Sequence, residues 1–272
     1  VTATTTPRTL APADAADVAA TLRACADEGA AIVARGGGTL QSLGNAPARC
    51  DAFLSLEHLR GLADYDPRDL TAGILAGTTL AEIARALGEH GQHLPFDAPL
   101  PDRATIGGTI AAGWAGPRRG RYGRPRDLLI GSTVALVDGT LAHAGGMVVK
   151  NVTGYDMSKA YAGSLGTLAI IVRANVKAVP RPAARRLAVA PIPPDVSDRA
   201  IAALGLLAIE PSTASAMPRR SRTRRAGSSS SSRDRRRSST AQPAICARCS
   251  VRRASRKRTS PTVTRRSASS AA

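Results

Sequence analysis

A chain of 272 residues, 43% of them apolar, has room for one large domain or two small ones and enough apolar surface for a core. The formal net charge of +18 is unevenly placed: Lys and Arg number 21 against 19 Asp and Glu over residues 1–210, and 17 against 1 over 211–272. Four cysteines do not make a disulfide scaffold, no run approaches the roughly 18 apolar residues of a membrane span, and the N-terminus lacks the basic-then-apolar layout of a secretion signal.

In chain order, residues 12–28 place Val18, Leu22 and Cys25 on one stripe of an Ala-rich segment, which predicts a helix stopped by Gly29. Ala31–Ala34 reads as a buried strand that delivers the chain into Gly36-Gly37-Gly38, and further strands are expected over Ala52–Leu56 and Leu70–Leu75. Thr79 and Glu82 spell a capping box ahead of Leu80, Ile83 and Leu87, so residues 80–89 should be helical, with Gly91 as terminator. Residues 95–123 are dense in proline and glycine and read as a long, specifically bent connection. Asp127–Val137 and Leu141–Ala144 flank Asp138-Gly139, a hairpin signal. A loop with a short helix near 154–161 follows, then a β-branched strand over Thr167–Val179, with Pro180 and Pro182 marking a boundary. Helix-like apolar spacing returns at Ile201, Leu204 and Leu207 and then ceases.

The tail from 211 has no aromatic residue and no leucine. Its larger apolar residues are Met217, Ile245, Val251 and Val263, too few to offset chain entropy, so disorder is expected. Its Ser/Arg-rich composition, with Ser228–Ser232 and Arg235–Arg237 as runs, supports three readings. One is a basic arm binding nucleic acid or anionic membrane by counterion release. Another is a solvated spacer. The third is a shifted reading frame near residues 205–215, since Leu and Val codons of a GC-rich gene read out of register give Ser, Arg, Ala and Pro. Cys246 and Cys249 form a CxxC without the second pair or His ligands that zinc needs, and His58, His90, His93 and His143 show no metal spacing and read as surface or loop residues.

Glycines without Cβ let several main-chain N–H groups point into one concavity, which suits a diphosphate, and Arg35 adds charge beside them. The spacing fits neither GxGxxG nor GxxxxGK[ST]. Backbone-lean segments recur, however, at Gly36–Thr39, Thr105–Gly113 and Gly163–Thr167, with Gly154 nearby. A long ligand gripped at several points needs such an arrangement.

RGGGT at 35–39, ATIGGTIAAG at 104–113, GPRRGRYG at 116–123, KNVTGYD at 150–156 and GSLGTL at 163–168, in that order, resemble the FAD-binding domain of the vanillyl-alcohol-oxidase and para-cresol-methylhydroxylase (PCMH) superfamily. GPRR followed by RYG and KNVTGYD is most similar to the small flavin-domain subunits of bacterial glycolate oxidases. The resemblance covers about residues 10–210. It implies an α+β, two-subdomain FAD-binding domain of PCMH type over 1–182, the start of a truncated C-terminal substrate or cap domain over 183–210, and the disordered basic tail over 211–272.

It also implies site roles. Gly36, Gly37, Gly38 and Thr39, beside Arg35, would donate main-chain hydrogen bonds to the pyrophosphate. Thr105, Gly107, Gly108 and Thr109, with Gly113 at the end of the same motif, would line the flavin and phosphate side. Gly154 and Tyr155 would sit near the isoalloxazine, and the segment from Gly166 through Leu168 and Ile170 near the adenine. Covalent relatives carry a His after the first glycines or a Cys in the second loop. Here Thr39, Leu40 and Trp114 stand in those stretches, so FAD is expected to be non-covalent. Ala169 replaces the family's usual Gly.

The implied activity is oxidation of a small 2-hydroxy acid, with a larger catalytic flavoprotein and an iron–sulfur subunit as partners. The implied location is the cytoplasm, with contact to the inner face of the membrane through the complex. That chemistry needs a base for the hydroxyl proton and a cation for the carboxylate, the flavin accepting hydride. Arg118, Arg119, Arg121, Arg124 and Arg126 could attract an acidic substrate or equally contact phosphate or a partner subunit, and Tyr155 and Lys150 are polar groups near the expected flavin that suit loop structure or FAD contact better than chemistry, so no catalytic residue is assigned. Two other readings stand beside this one: a nucleic-acid-binding protein acting through its tail, and a flavin-fold subunit serving only as relay or scaffold.

Overall fold

The computed structural model describes residues 6–148, 155–191, 193, 196–204, 211–218 and 243–251. Helix α1, Ala15–Asp27, begins where the Asp14 carboxylate accepts a hydrogen bond from the Asp17 N–H at 2.9 Å. It buries Val18, Leu22 and Cys25, the stripe read from the sequence, and Gly29 ends it at φ +64°. Beside it lies a small parallel sheet of β1 (Arg8–Leu10), β3 (Ala52–Ser55) and β2 (Ile32–Arg35), in that spatial order. Because β2 runs parallel to β3, its C-terminal end opens directly into the glycine loop.

The larger sheet is antiparallel throughout, in the order β4 (Leu62–Asp66), β5 (Thr71–Leu75), β9 (Ile170–Lys177), β7 (Leu129–Ala135) and β8 (Leu141–Gly145). Asp138-Gly139 turns β7 into β8 as expected, with Gly139 at φ +79° and the Thr140 N–H bonded to the Asp138 carboxylate. Helix α2, Leu80–Gly88, carries the complete capping box: Glu82 N–H donates to Thr79 Oγ1 at 3.2 Å, and Thr79 N–H to the Glu82 carboxylate at 2.8 Å. The two-residue strand β6 (Gln92–His93) follows α2, and β10 (Val179–Pro180) returns to pair with it.

Several elements differ from the sequence reading. The stretch 95–123 is not only a connection, because it holds α3 (Ile106–Ala111) and the single turn α4 (Arg119–Tyr122), with α5 (Pro125–Leu128) just after. Two glycines in a six-residue helix oppose helix formation. The helix persists because Thr105 caps it and because Gly107 lets its backbone close onto β5, where a Cβ would lie 2.7 Å from that of Ala76. Leu70 sits outside β5 at φ +58°. The strand expected over Thr167–Val179 is two, β9 and β10, and strands β1 and β4 had no sequence signal. One core joins both sheets, with Leu54, Ile74, Ile83, Ile106, Ile110 and Val172 fully buried.

Helix α6 (Met157–Tyr161) stands within the stretch expected to be helical near 154–161. Beyond Pro182, β11 (Ala184–Pro191) and α7 (Ser197–Leu204) follow, α7 where apolar spacing called for a helix. In the tail, for which disorder is expected, the described residues are two strands, β12 (Pro211–Pro218) and β13 (Pro243–Val251), in a sheet ordered β11-β13-β12. They hold Met217, Ile245 and Val251, three of the tail's four larger apolar residues. The rest of the tail lies outside the described residues.

Candidate functional site

The glycine loop closes one wall of a narrow cleft of about 120 Å³, and Thr105, Gly107, Gly108 and Thr109 form a second wall. The third comes from Leu165, Gly166 and Ala169–Ile171 at the entry to β9. The three segments singled out in the sequence therefore converge. At Leu43 and Ala112 the cleft meets a wider concavity of about 590 Å³, lined also by Gly113, Trp114, Arg119 and Arg124. Together they make one elongated groove, narrow at the glycine loop and basic and aromatic beyond it.

Among the described residues the main-chain N–H groups of Gly36, Gly37, Gly38 and Thr39 donate to no acceptor. Four unspent donors in sequence along a cleft are an anion cradle. The amides of the second wall differ: Gly107 donates to the Ala76 carbonyl, Gly108 to Thr105 Oγ1 and Thr109 to the Thr105 carbonyl. That wall supplies shape, and the first supplies donors.

The glycines also answer to packing. A Cβ on Gly36 would overlap Thr105 Oγ1, and one on Gly37 would overlap the Arg103 carbonyl oxygen, while Arg103 Nη2 donates to the Gly37 carbonyl at 3.2 Å. The loop thus rests on residues 103–105. Gly38 turns at φ +67°, where only glycine is unstrained. Arg35 lines the cleft with its guanidinium 5.6 Å from the centre of the Phe53 ring.

The family model described as an FAD binding domain matches residues 7–145, just over half of the chain. The chain belongs to this FAD-binding family. Among curated relatives, it is 33% identical over 177 residues to the glycolate oxidase subunit GlcD of Bacillus subtilis, covering 65% of this chain and 38% of that protein. It is 41% identical over 126 residues to the glycolate oxidase subunit GlcE of Escherichia coli, 46% of this chain and 36% of that protein. It is 34% identical over 171 residues to the D-lactate dehydrogenase of Archaeoglobus fulgidus, 62% of this chain and 38% of that protein. The chain thus spans less than two fifths of the length of these relatives. In fold it is similar to an alkyldihydroxyacetonephosphate synthase structure, with TM-score 0.64 and 20% identity over 76% of this chain and 38% of that one.

The cofactor of this FAD-binding domain is FAD, and the residues present fit it. Free donors suit a diphosphate, and Leu165, Ile170 and Ile171 offer apolar wall. Of the residues expected at the FAD site, Arg35, Gly36, Gly37, Gly38, Thr39, Thr105, Gly107, Gly108, Thr109, Gly166 and Ile170 line one cleft. Gly113 belongs to the adjoining concavity. Leu168, 61% exposed, and Tyr155, 94% exposed, line neither, because both sit on solvent-facing loop positions; Gly154 and Lys150 lie outside the described residues. Leu43, which with Ala112 joins the two spaces, carried no signal in the sequence.

Asp97 fixes the wider end of the FAD-domain groove. Its carboxylate accepts from Arg118 Nε at 2.7 Å and from the Arg118 main-chain N–H at 3.2 Å, and its carbonyl accepts from Trp114 Nε1 at 3.1 Å. Three bonds from one residue hold the bend that presents Trp114, Arg119 and Arg124. Arg118 is therefore structural, although the sequence placed it in a substrate-attracting cluster. Among the described residues no Asp, Glu or His lines either part of the groove, and no group of three or more His, Cys, Asp or Glu could hold a metal ion. No helix among them is long and apolar enough to cross a membrane.

His93, read as a surface or loop residue, is instead 5% exposed, and neither ring nitrogen has a hydrogen-bond partner. Pairing of β6 with β10 tucks the ring inside, edge-on to Tyr122. Burial, then the positive charges of Arg118 and Arg185, push its pKa down to about 4; the nearby Val179 main chain opposes this, and Arg181 adds a smaller push downward.

Proposed function

We propose that the chain is the FAD-holding part of a 2-hydroxy-acid oxidoreductase of the glycolate oxidase kind, working in a complex with a larger catalytic flavoprotein and an iron–sulfur subunit. The single observation that carries this reading is the row of four undonated N–H groups at Gly36–Thr39 on a cleft whose family binds FAD. In this reading those amides and Arg35 hold the pyrophosphate. Thr105, Gly107, Gly108 and Thr109 set the shape of the flavin side, and Gly166, Ile170 and Ile171 bracket the adenine. Among the described residues neither a His nor a Cys lines the groove, and FAD is held non-covalently in this reading.

When bound, FAD supplies the hydride acceptor. Arg119 and Arg124 draw a carboxylate toward the wide end, and Trp114 walls it off from solvent. The proton acceptor is assigned to a group outside the described groove, consistent with a chain that spans less than two fifths of its relatives. Residues 1–182 form the FAD domain, 183–210 begin the substrate domain, and 211–272 are a Ser/Arg-rich tail for which a shifted reading frame stands beside a natural basic arm as an origin. Resequencing the gene decides between them: an overlapping frame rich in Leu and Val past residue 205 supports the shift, and no such open frame removes it.

The functional test is reconstitution. The purified chain incubated with FAD should turn yellow and release FAD fluorescence on heating, and with its partners glycolate or D-lactate should bleach the flavin without oxygen. A colourless chain with steeply salt-dependent RNA binding would replace this reading by one centred on the tail.

A further inference from the structure

A second cavity, of about 760 Å³, shares no lining residue with the groove assigned to FAD. One wall is apolar, from Leu80 and Ile83 of α2 together with Leu94 and Phe96. The other is basic, from Arg118, Arg181 and Arg185, and His93 faces the same space.

The polar groups are unequally engaged. Arg118 is tied to Asp97, and Arg181 Nη2 donates to the Ala84 carbonyl at 2.9 Å. The Arg185 guanidinium, on β11, makes no hydrogen bond or ion pair among the described residues. His93 keeps two ring nitrogens without partners while buried, and a buried polar group left unpaired is costly enough that native structures rarely tolerate one without a ligand or water to satisfy it. Among the described residues three arginines and no Asp or Glu line the cavity, so this wall carries an excess of positive charge even with Arg118 paired to Asp97.

We propose that this cavity binds a small organic carboxylate, its charged end held by Arg185, Arg181 and the His93 ring and its short apolar body lying on Leu80, Ile83, Leu94 and Phe96. A neutral His93 donates one N–H to a carboxylate oxygen, and Arg185 adds a charge-assisted bond. The match is to a molecule with one anionic end and a branched hydrocarbon end. A bare phosphate lacks the second and an alcohol the first.

The test uses the full chain with its histidines labelled for NMR at the ring carbon between the nitrogens, with His93→Gln assigning the signal, and 4-methylvalerate as probe. Saturable movement of the His93 signal, a rise in its titration midpoint by about one unit from the nearby negative charge, and about tenfold weaker binding in Arg185→Ala are expected. Arg185 is exposed, so its removal leaves the fold in place. 4-Methylpentan-1-ol and inorganic phosphate should leave the signal where it was. A His93 signal indifferent to 4-methylvalerate at tens of millimolar, an unchanged affinity in Arg185→Ala, or equal response to phosphate would each overturn the assignment. None depends on whether FAD binds in the other groove.

Discussion

Replacing Gly37 by alanine should damage both FAD binding and folding, and the size of each effect follows from the packing of the loop. The new methyl carbon would lie 2.6 Å from the Arg103 carbonyl carbon and closer still to its oxygen. Carbon atoms rest at about 3.5–4.0 Å, so loop and support must separate by about 1 Å. Both sides are backbone, and no side chain can swing away. An amide moved by that much takes a hydrogen bond of about 2.9 Å out to about 3.9 Å, past the range in which it counts. One lost bond to a charged oxygen is worth about 1.5–3 kcal/mol, or roughly a 10- to 150-fold loss of FAD affinity. Overpacking adds about 1–3 kcal/mol of lost stability. Titration of FAD against the fluorescence of Trp114, the chain's one tryptophan, measures the first, and urea unfolding of the FAD-free chain measures the second. Gly120→Ala, where a Cβ meets nothing within 4 Å, is the control: it should leave FAD affinity unchanged and, standing in α4, raise stability by at most about 1 kcal/mol. If Gly37→Ala bound FAD as the parent does, the cradle would not be where FAD's phosphates sit.

Other perturbations have equally definite outcomes. Unfolded His93 takes up a proton near pH 6.5 and the folded ring only near 4, so its contribution is complete above 6.5 and drains away as pH falls toward 4, by roughly 3 kcal/mol in all. Urea unfolding of parent and His93→Phe at pH 8 and 4.5 should show the variant losing less on acidification; parallel losses would refute the burial. Thr79→Ala removes the cap of α2 and should cost about 1 kcal/mol in the same assay. Glu82, whose carboxylate is held below its ordinary range by the Thr79 N–H, contributes above that range and loses its contribution as pH falls through its folded pKa, so Glu82→Gln should flatten the acid limb. Asp97→Ala frees the Trp114–Arg118 bend; emission from Trp114 should move to longer wavelength, at a stability cost of about 1.5–3 kcal/mol, and an unshifted spectrum would show the bend is held otherwise.

What the sequence disclosed depended on how local the cause was. The stripe of α1, the Thr79/Glu82 box and the Asp138-Gly139 turn are written within a few residues, and each stands where expected. The convergence of the glycine segments was legible only through their order along the chain. Helix α3 was hidden because its stability comes from a distant neighbour, Ala76, rather than from its own residues. The Asp97 clamp spans 21 residues to Arg118 and leaves no periodic trace. His93 sits in a strand of two residues whose burial is set by β10, far along the chain, so nothing near it betrays an interior position.

The seating of Gly37 on Arg103 joins the end of the small parallel sheet to the segment that precedes α3. The cradle therefore has its form only when chain stretches some 66 positions apart have already met. A fragment carrying the glycine-rich stretch alone would retain the letters of the motif but not its grip, and grafting those few residues onto another scaffold would transfer little unless their footing came with them.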